Sequence, residues 1–171
     1  MILPEVRDPR LITIRRGGTL TDADHRLLAL WAAACAEHVL PLFERAVQDD
    51  ARPREAIEAA RSWARGELPM MRARALGGQA MGAARPLRGG SRFAAYAAGQ
   101  AACVAHVPEH DLGAAAYAIK AARAAVPPAA SDQARRRECR WQRDQLPLQV
   151  RDLVIEDQRR RNEICWAVFD T

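Results

Sequence analysis

Aromatic side chains are scarce in this chain, with three Phe, four Trp and two Tyr among 171 residues. Rings and β-branched residues are what fill a pleated sheet, so their scarcity argues against a sheet-based core. Lysine is nearly absent, with Lys120 alone beside 25 Arg. The four cysteines, at 35, 103, 139 and 165, include no CxxC and no Cys/His pair at the spacing of a zinc site. Three of them lie among apolar neighbours, the usual setting of buried reduced thiols. The longest uncharged stretch, Phe93 to Pro108, is sixteen residues and mostly alanine, too short and too weakly apolar for a bilayer. The opening Met-Ile-Leu-Pro-Glu has neither the basic start nor the apolar core of a signal peptide. The expectation is a soluble cytoplasmic protein with no membrane partner.

Catalytic signatures are missing as well. Ser62, Ser91 and Ser131 fall inside or at the caps of helical patterns, which excludes a nucleophile elbow. Cys35 is flanked by alanine and has no cationic neighbour to lower its pKa. The glycine doublets at 17–18, 77–78 and 89–90 form neither a Walker A loop nor GxGxxG. His106 and His110 have the spacing of helical metal ligands, but Pro108 interrupts their shared face and no HExxH is present. The sequence therefore yields no catalytic residue, no metal and no cofactor.

What is abundant is alanine, at 36 positions. Alanine loses no side-chain entropy in a helix, and the punctuation divides the chain into about seven helices. The first starts after Thr21, with Asp22 and Asp24 at its positive end. Its apolar face reads Leu27, Trp31, Cys35, His38 and Leu42, with a kink expected near Pro41. Pro53 opens a second helix that Gly66 closes, with Ile57, Ala60 and Ala64 facing inward. Pro69 opens a third, which Gly77-Gly78 and Gly82 either break or press against a neighbouring backbone. Ser91 caps a fourth running to Val107, and Asp111 caps a fifth after Pro108. Ser131 and Pro147 open the last two. Leu11 to Ile14 forms a short strand or extended arm.

The fold expected is all-α: a compact bundle in one domain over residues 1–171, with a short α-solenoid of helix pairs as the alternative. Its core should include Leu27, Trp31, Leu42, Ile57, Ile119, Leu153 and Trp166. The apolar tail from Ile164 to Phe169 should dock, burying Trp166 and Phe169.

The net charge of +5 is unevenly spread. Residues 1–50 carry −2, residues 51–130 carry +6 and residues 131–171 carry +1. The tracts Arg135-Arg136-Arg137 and Arg159-Arg160-Arg161 have Asp132, Glu138, Asp144, Glu156 and Asp157 as helical partners, so a solvated ion-paired surface is expected. Nucleic-acid binding needs a concentrated basic stripe, and the sequence does not offer one. Arg15-Arg16-Gly17-Gly18-Thr19 reads as an exposed turn, with an anion cradle ahead of the first helix as the functional alternative.

One family resemblance covers about residues 10–169. It rests on the run from Arg10 to Thr21 (RLITIRRGGTLT), Asp24-His25-Arg26, Leu30-Trp31-Ala32, Cys35 to Leu40 (CAEHVL) and Ala56 to Gly66. It continues through His110 to Lys120 (HDLGAAAYAIK), Trp141-Gln142-Arg143, Leu146-Pro147, Arg161-Asn162, Cys165-Trp166 and Phe169. In order and spacing these pieces resemble a bacterial family of immunity proteins of the immunity-protein-five-like type. Gly77-Gly78 and Pro86 depart from the unbroken alanine-rich third helix expected of the family. The resemblance implies a non-enzymatic inhibitor that binds a cognate toxin protein in the producer's cytoplasm. It carries no catalytic residues. With a basic chain, the toxin's binding face is expected to be acidic or neutral.

Two other readings come from the residues. A small-molecule binder or enzyme would use a polar pocket between the first, fourth and fifth helices, built from Glu37, His38, Glu44, His106, His110 and Asp111. Tyr117 and Lys120, one turn apart, complete that set of ligand- or partner-binding candidates. A structural protein would form a homo-oligomer through its alanine-rich faces.

Overall fold

Thr21 is extended, and its Oγ1 accepts a hydrogen bond from the Asp24 N–H at 3.0 Å. This cap satisfies one orphan donor of the helix it precedes, and α1 runs from Asp22 to Glu44, continuing through Pro41. The computed structural model describes residues 3–170. Proline and glycine divide the rest as the sequence predicts. The helices are α2 (Arg52–Ala64), α3 (Met70–Ala84), α4 (Gly89–Cys103), α5 (His110–Ala124), α6 (Ser131–Asp144) and α7 (Leu148–Arg161). Among the described residues there is no strand. The N-terminal arm makes two 3-10 turns, Pro9–Leu11 and Ile14–Arg16, and an isolated bridge between Thr13 and Leu20 closes it on itself ahead of α1.

Two helix starts differ from expectation. α4 begins at Gly89, so Ser91 lies in its first turn and donates back to the Arg88 carbonyl at 3.1 Å. α5 begins at His110, which places Asp111 inside the helix and buries it. α4 also stops at Cys103 rather than Val107. The residue before a proline is pushed out of the helical region, and Val104 to Val107 take up turns ahead of Pro108.

Helix α4 sits at the centre, packed against α1, α2, α3 and α5. A solenoid helix would touch only its neighbours in the stack, so the arrangement is a bundle. From Ala94 to Cys103 every residue of α4 but Tyr96 is buried, and none of the buried ones is larger than Gln100. Larger side chains come from the surrounding helices: Leu28, Trp31, Leu40 and Phe43 of α1, Ile57 of α2, and Leu112 and Ile119 of α5. By length and composition α1 could reach across a bilayer, but most of its apolar residues are buried, with α2, α4 and α5 packed against it, and Leu30 is left exposed. Its buried arc is rotated from the expected stripe. Leu28, Ala32, Val39 and Phe43 face inward with Trp31 and Cys35, whereas Leu27 and Leu42 are half-buried and His38 points outward. Leu153 is half-buried too, and Trp166 is 41% exposed.

The glycines of α3 do not break it. Gly77 lies against α4, where a Cβ would stand 2.7 Å from the Gly99 carbonyl oxygen and 2.9 Å from Cys103 Sγ. A Cβ on Gly99 would stand 2.7 Å from the Gly77 carbonyl oxygen and 2.5 Å from Met81 Cγ. The two backbones meet directly, and only hydrogen atoms fit between them. Gly78, one residue on, faces open space.

This contrast gives a stability test. Gly99→Ala should destabilise by about 1–3 kcal/mol, because the methyl group meets backbone that cannot swing aside. Gly78→Ala should stabilise by about 0.5–1 kcal/mol through helix propensity alone. Urea unfolding of the two variants should therefore move the midpoint in opposite directions.

Candidate functional site

Phe93 and Tyr96 of α4, and Tyr117 and Lys120 of α5, are three apart on their helices and meet on one outer face. The Tyr96 and Tyr117 rings stack at 5.1 Å between centroids, and Phe93 lies 6.3 Å from Tyr117. Trp166, from the segment after α7, packs tilted against Tyr117 at 5.0 Å. The Lys120 ammonium sits 3.7 Å from the centre of a Trp166 ring and 4.7 Å from that of Phe93, and Arg92 lies over Tyr96 at 5.5 Å. Such contacts place a cation against the negative face of the ring. Partial burial pushes the Lys120 pKa down, helped by the Arg123 charge, and pushes the Tyr117 phenol up.

Two depressions of about 390 and 380 Å³ open on this face, one on either side of Phe93 and Lys120. Arg88, Arg92, Lys120 and Arg123 line them, and among the described residues no carboxylate does. The positive middle third of the chain is thus expressed as a cationic, aromatic surface.

The exposure of Trp166 corrects the expected docking of the whole tail. Cys165, Val168 and Phe169 are buried as a docked tail requires. Trp166 and Ala167 between them have φ of 61° and 51°, the left-handed region that costs an L-residue about 1–2 kcal/mol each. Surrounding bonds hold this turn: the Ala167 N–H donates to the Asn162 carbonyl at 2.8 Å, and the Phe169 N–H to Asn162 Oδ1 at 3.0 Å. Arg143 and Arg135 donate to the carbonyls of Phe169 and Val168. The result turns the Trp166 indole out over Lys120.

The remaining candidate residues do not assemble into one pocket. Glu37 and Glu44 lie on the outer side of α1, paired with Arg61 at 2.5 Å and Arg54 at 2.6 Å, and Arg61 holds the Glu37 carboxyl below its ordinary range. His38 stacks on Trp141 at 3.7 Å and its Nδ1 lies 2.9 Å from Glu138 Oε2. His106 lies at the opposite edge of α4, beside the N-terminal arm. His110 donates from Nδ1 to Gln100 Oε1 at 2.7 Å, and burial pushes its pKa down to about 4. Among the described residues no group of three or more His, Cys, Asp or Glu side chains is placed to hold a metal ion.

Asp111 belongs to a buried ionic group. Its Oδ1 lies 3.3 Å from Arg161 Nη2, while Asp157 Oδ2 takes the same guanidinium at 2.8 Å. Arg161 also donates twice to the Glu109 carbonyl, at 3.0 and 3.1 Å. Glu109 in turn receives Arg7 of the arm through two bonds of 2.6 and 2.7 Å. Among the described residues Asp111 Oδ2 has no hydrogen-bond partner, and burial raises its pKa against the pull of Arg161. The surface ion pairs expected of the arginine tracts are there for Arg136 with Asp132 and Arg160 with Asp157, but Arg135 and Arg161 are buried. The Asp157/Arg161 spacing was visible in the sequence. Its burial depends on the α4–α5 turn, 50 residues away.

Two measurements follow from these environments. Arg161→Met should destabilise by about 3–5 kcal/mol, because it strands buried carboxylates without their cation. For His110, a folded-state pKa below the unfolded 6.5 means that stability is full above pH 6.5 and lost as pH falls toward 4. His110→Gln removes that loss. Relative to the parent, the variant should gain on the order of 3 kcal/mol between pH 7 and pH 4 in unfolding titrations, and a constant gap would contradict the assignment.

No curated protein and no solved structure matches the chain. A family model does, that described as Imm-5 like putative immunity protein, over residues 18–149. The match takes in α1 through α6 with the aromatic pairs of α4 and α5 and the candidate histidines. On that extent of agreement, the chain belongs to the Imm-5 like immunity protein family.

Proposed function

We propose that the protein neutralises a cognate bacterial toxin in the producer's cytoplasm by binding it through the face formed by Phe93, Tyr96, Tyr117, Lys120 and Trp166. Family membership supplies the class of partner. The observation that carries the choice of face is Trp166, held outward on a left-handed turn among rings and cations. Backbone strain of this kind persists only where the surroundings enforce it, and it concentrates at ligand-contacting positions. Trp, Tyr and Arg are also the residues that dominate interface energetics when an exposed cluster becomes desolvated.

The chemistry of the face defines its partner. Four cations, with no carboxylate among the described residues lining these depressions, suit a toxin surface that presents an apolar projection ringed by Asp or Glu. The projection would fill the depressions beside Phe93, and the acids would steer the encounter. An acidic surround on the toxin agrees with the basic charge of this chain.

Co-purification and calorimetry with candidate toxins drawn from the neighbouring genes test this reading. Trp166→Ala and Tyr117→Ala should each weaken binding by about 2 kcal/mol or more, roughly 30-fold. Lys120→Glu should slow association and reduce protection in a growth assay. Glu44→Gln, on the far side of α1, should leave binding intact. Full-strength binding by a Lys120→Glu/Trp166→Ala double variant would refute the proposed face.

A further inference from the structure

The arm motif Arg15-Arg16-Gly17-Gly18-Thr19 is not an isolated exposed turn. Gly17 takes φ of +85°, and a Cβ on Gly18 would stand 2.1 Å from the Ile12 carbonyl oxygen, so the loop closes tightly on the arm. Its backbone donors are already used: Arg16 and Gly18 donate to Thr13, Gly17 to Ile14, and Thr19 to Pro9. Backbone amides therefore cannot cradle an anion here, and the arginine side chains are what the loop presents. They face the end of the bundle, where the arm, the start of α1, the end of α2, the start of α3 and the turn after α4 enclose a cavity of about 270 Å³. A second depression of about 160 Å³ adjoins it and shares Arg15, Asp22, His25 and Trp63.

The walls are of two kinds. Trp63, Met70 and Ala105 make an apolar side. His25 is only 5% exposed, its Nε2 donates to the Val104 carbonyl at 2.7 Å, and its ring tilts against Trp63 at 4.6 Å. The polar side carries Arg15, Arg16 and His106, with Asp22 already engaged by Arg15 at 2.6 Å. The backbone N–H groups of Arg16 and His106 are bonded within their turns, while their side chains make no hydrogen bond or ion pair among the described residues. Burial first, and then the charges of Arg74, Arg16 and Arg7, push the His106 pKa down.

We propose that this cavity is a second binding site, one that takes a small molecule with an oxyanion head, a phosphate monoester or a carboxylate, on a flat apolar body. The head lies between the Arg16 guanidinium and the His106 imidazole, where a planar fork and a ring N–H both donate to oxyanions. The body lies on Trp63, with Met70 closing the opposite side. The site stands apart from the aromatic face on α4 and α5 and does not rest on the toxin-binding reading.

Titration of the full chain with inorganic phosphate, phenyl phosphate and benzoate, followed by the indole N–H resonance of Trp63 in two-dimensional NMR, tests the proposal. The resonance is assigned by its loss in Trp63→Phe. Saturable shifts with phenyl phosphate or benzoate, about tenfold tighter than with inorganic phosphate, are expected. Whichever of the two binds tighter identifies the head group. Arg16→Gln and His106→Gln, both on partly open side chains, should each weaken binding by about tenfold with unchanged melting. The absence of a saturable shift with all three probes at millimolar concentration would overturn the site, as would undiminished affinity in the Arg16→Gln/His106→Gln double variant.

Discussion

The backbone contact between Gly77 and Gly99 sets the spacing of the helices around it. With α3 and α4 held this close, α4 can only be lined by side chains the size of alanine, and α1, α2 and α5 draw in around it. Close approach compensates for the small apolar area that each alanine brings, because dispersion contacts fall off steeply with any gap. The same constraint leaves no room at the centre for most of the large rings. Trp31 and Phe43 are fully enclosed by α1's neighbours, while Phe93, Tyr96 and Tyr117 are displaced to the outer edge of α4 and α5. The aromatic face is thus a by-product of how the core is packed.

Arg161 does for the ends of the chain what the glycine contact does for the middle. It joins α7 to the α4–α5 turn, and Glu109 of that turn receives Arg7 of the arm. Asp8 and Arg10 extend the chain of contacts to Arg160 and Glu156. The arm and the last helix, which have few apolar side chains to bury, are therefore held largely by charge. A buried network of this kind contributes less to net stability than to fixing one arrangement. Here it fixes the arm that walls the end cavity and the helix from which the Trp166 turn departs.

Much of this architecture was legible in the sequence, because proline, glycine and capping threonine act locally. Pro53, Pro69 and Pro147 mark helix starts correctly, and Gly66 marks an end. What failed to show was whatever depended on distant neighbours. The inward arc of α1 was misjudged because three helices surround it, and a single 3.6-residue stripe describes packing on one side only. Arg161 read as surface because its spacing to Asp157 is that of an ordinary exposed pair, and nothing local reveals the Glu109 carbonyl that encloses it. Trp166 read as core because composition is blind to a left-handed turn at a non-glycine residue. Of the candidate residues, Tyr117 and Lys120 share a face by their spacing, and the structure sets Phe93 and Tyr96 of α4 against them. Phe93 and Tyr96 have the same spacing, but pairing the two helices requires the fold.

The scarcity of lysine has a chemical consequence. Lys120 is the one side-chain amine in the protein, and its lowered pKa leaves more of it as the free base than an ordinary lysine. Acylating and reductive-alkylating reagents are therefore directed to the centre of the Phe93–Trp166 cluster. Among side chains, amine-directed bioconjugation would place its label, or its blocking group, on that cluster alone. A surface selected for arginine everywhere else thus becomes addressable at one atom, Lys120 Nζ.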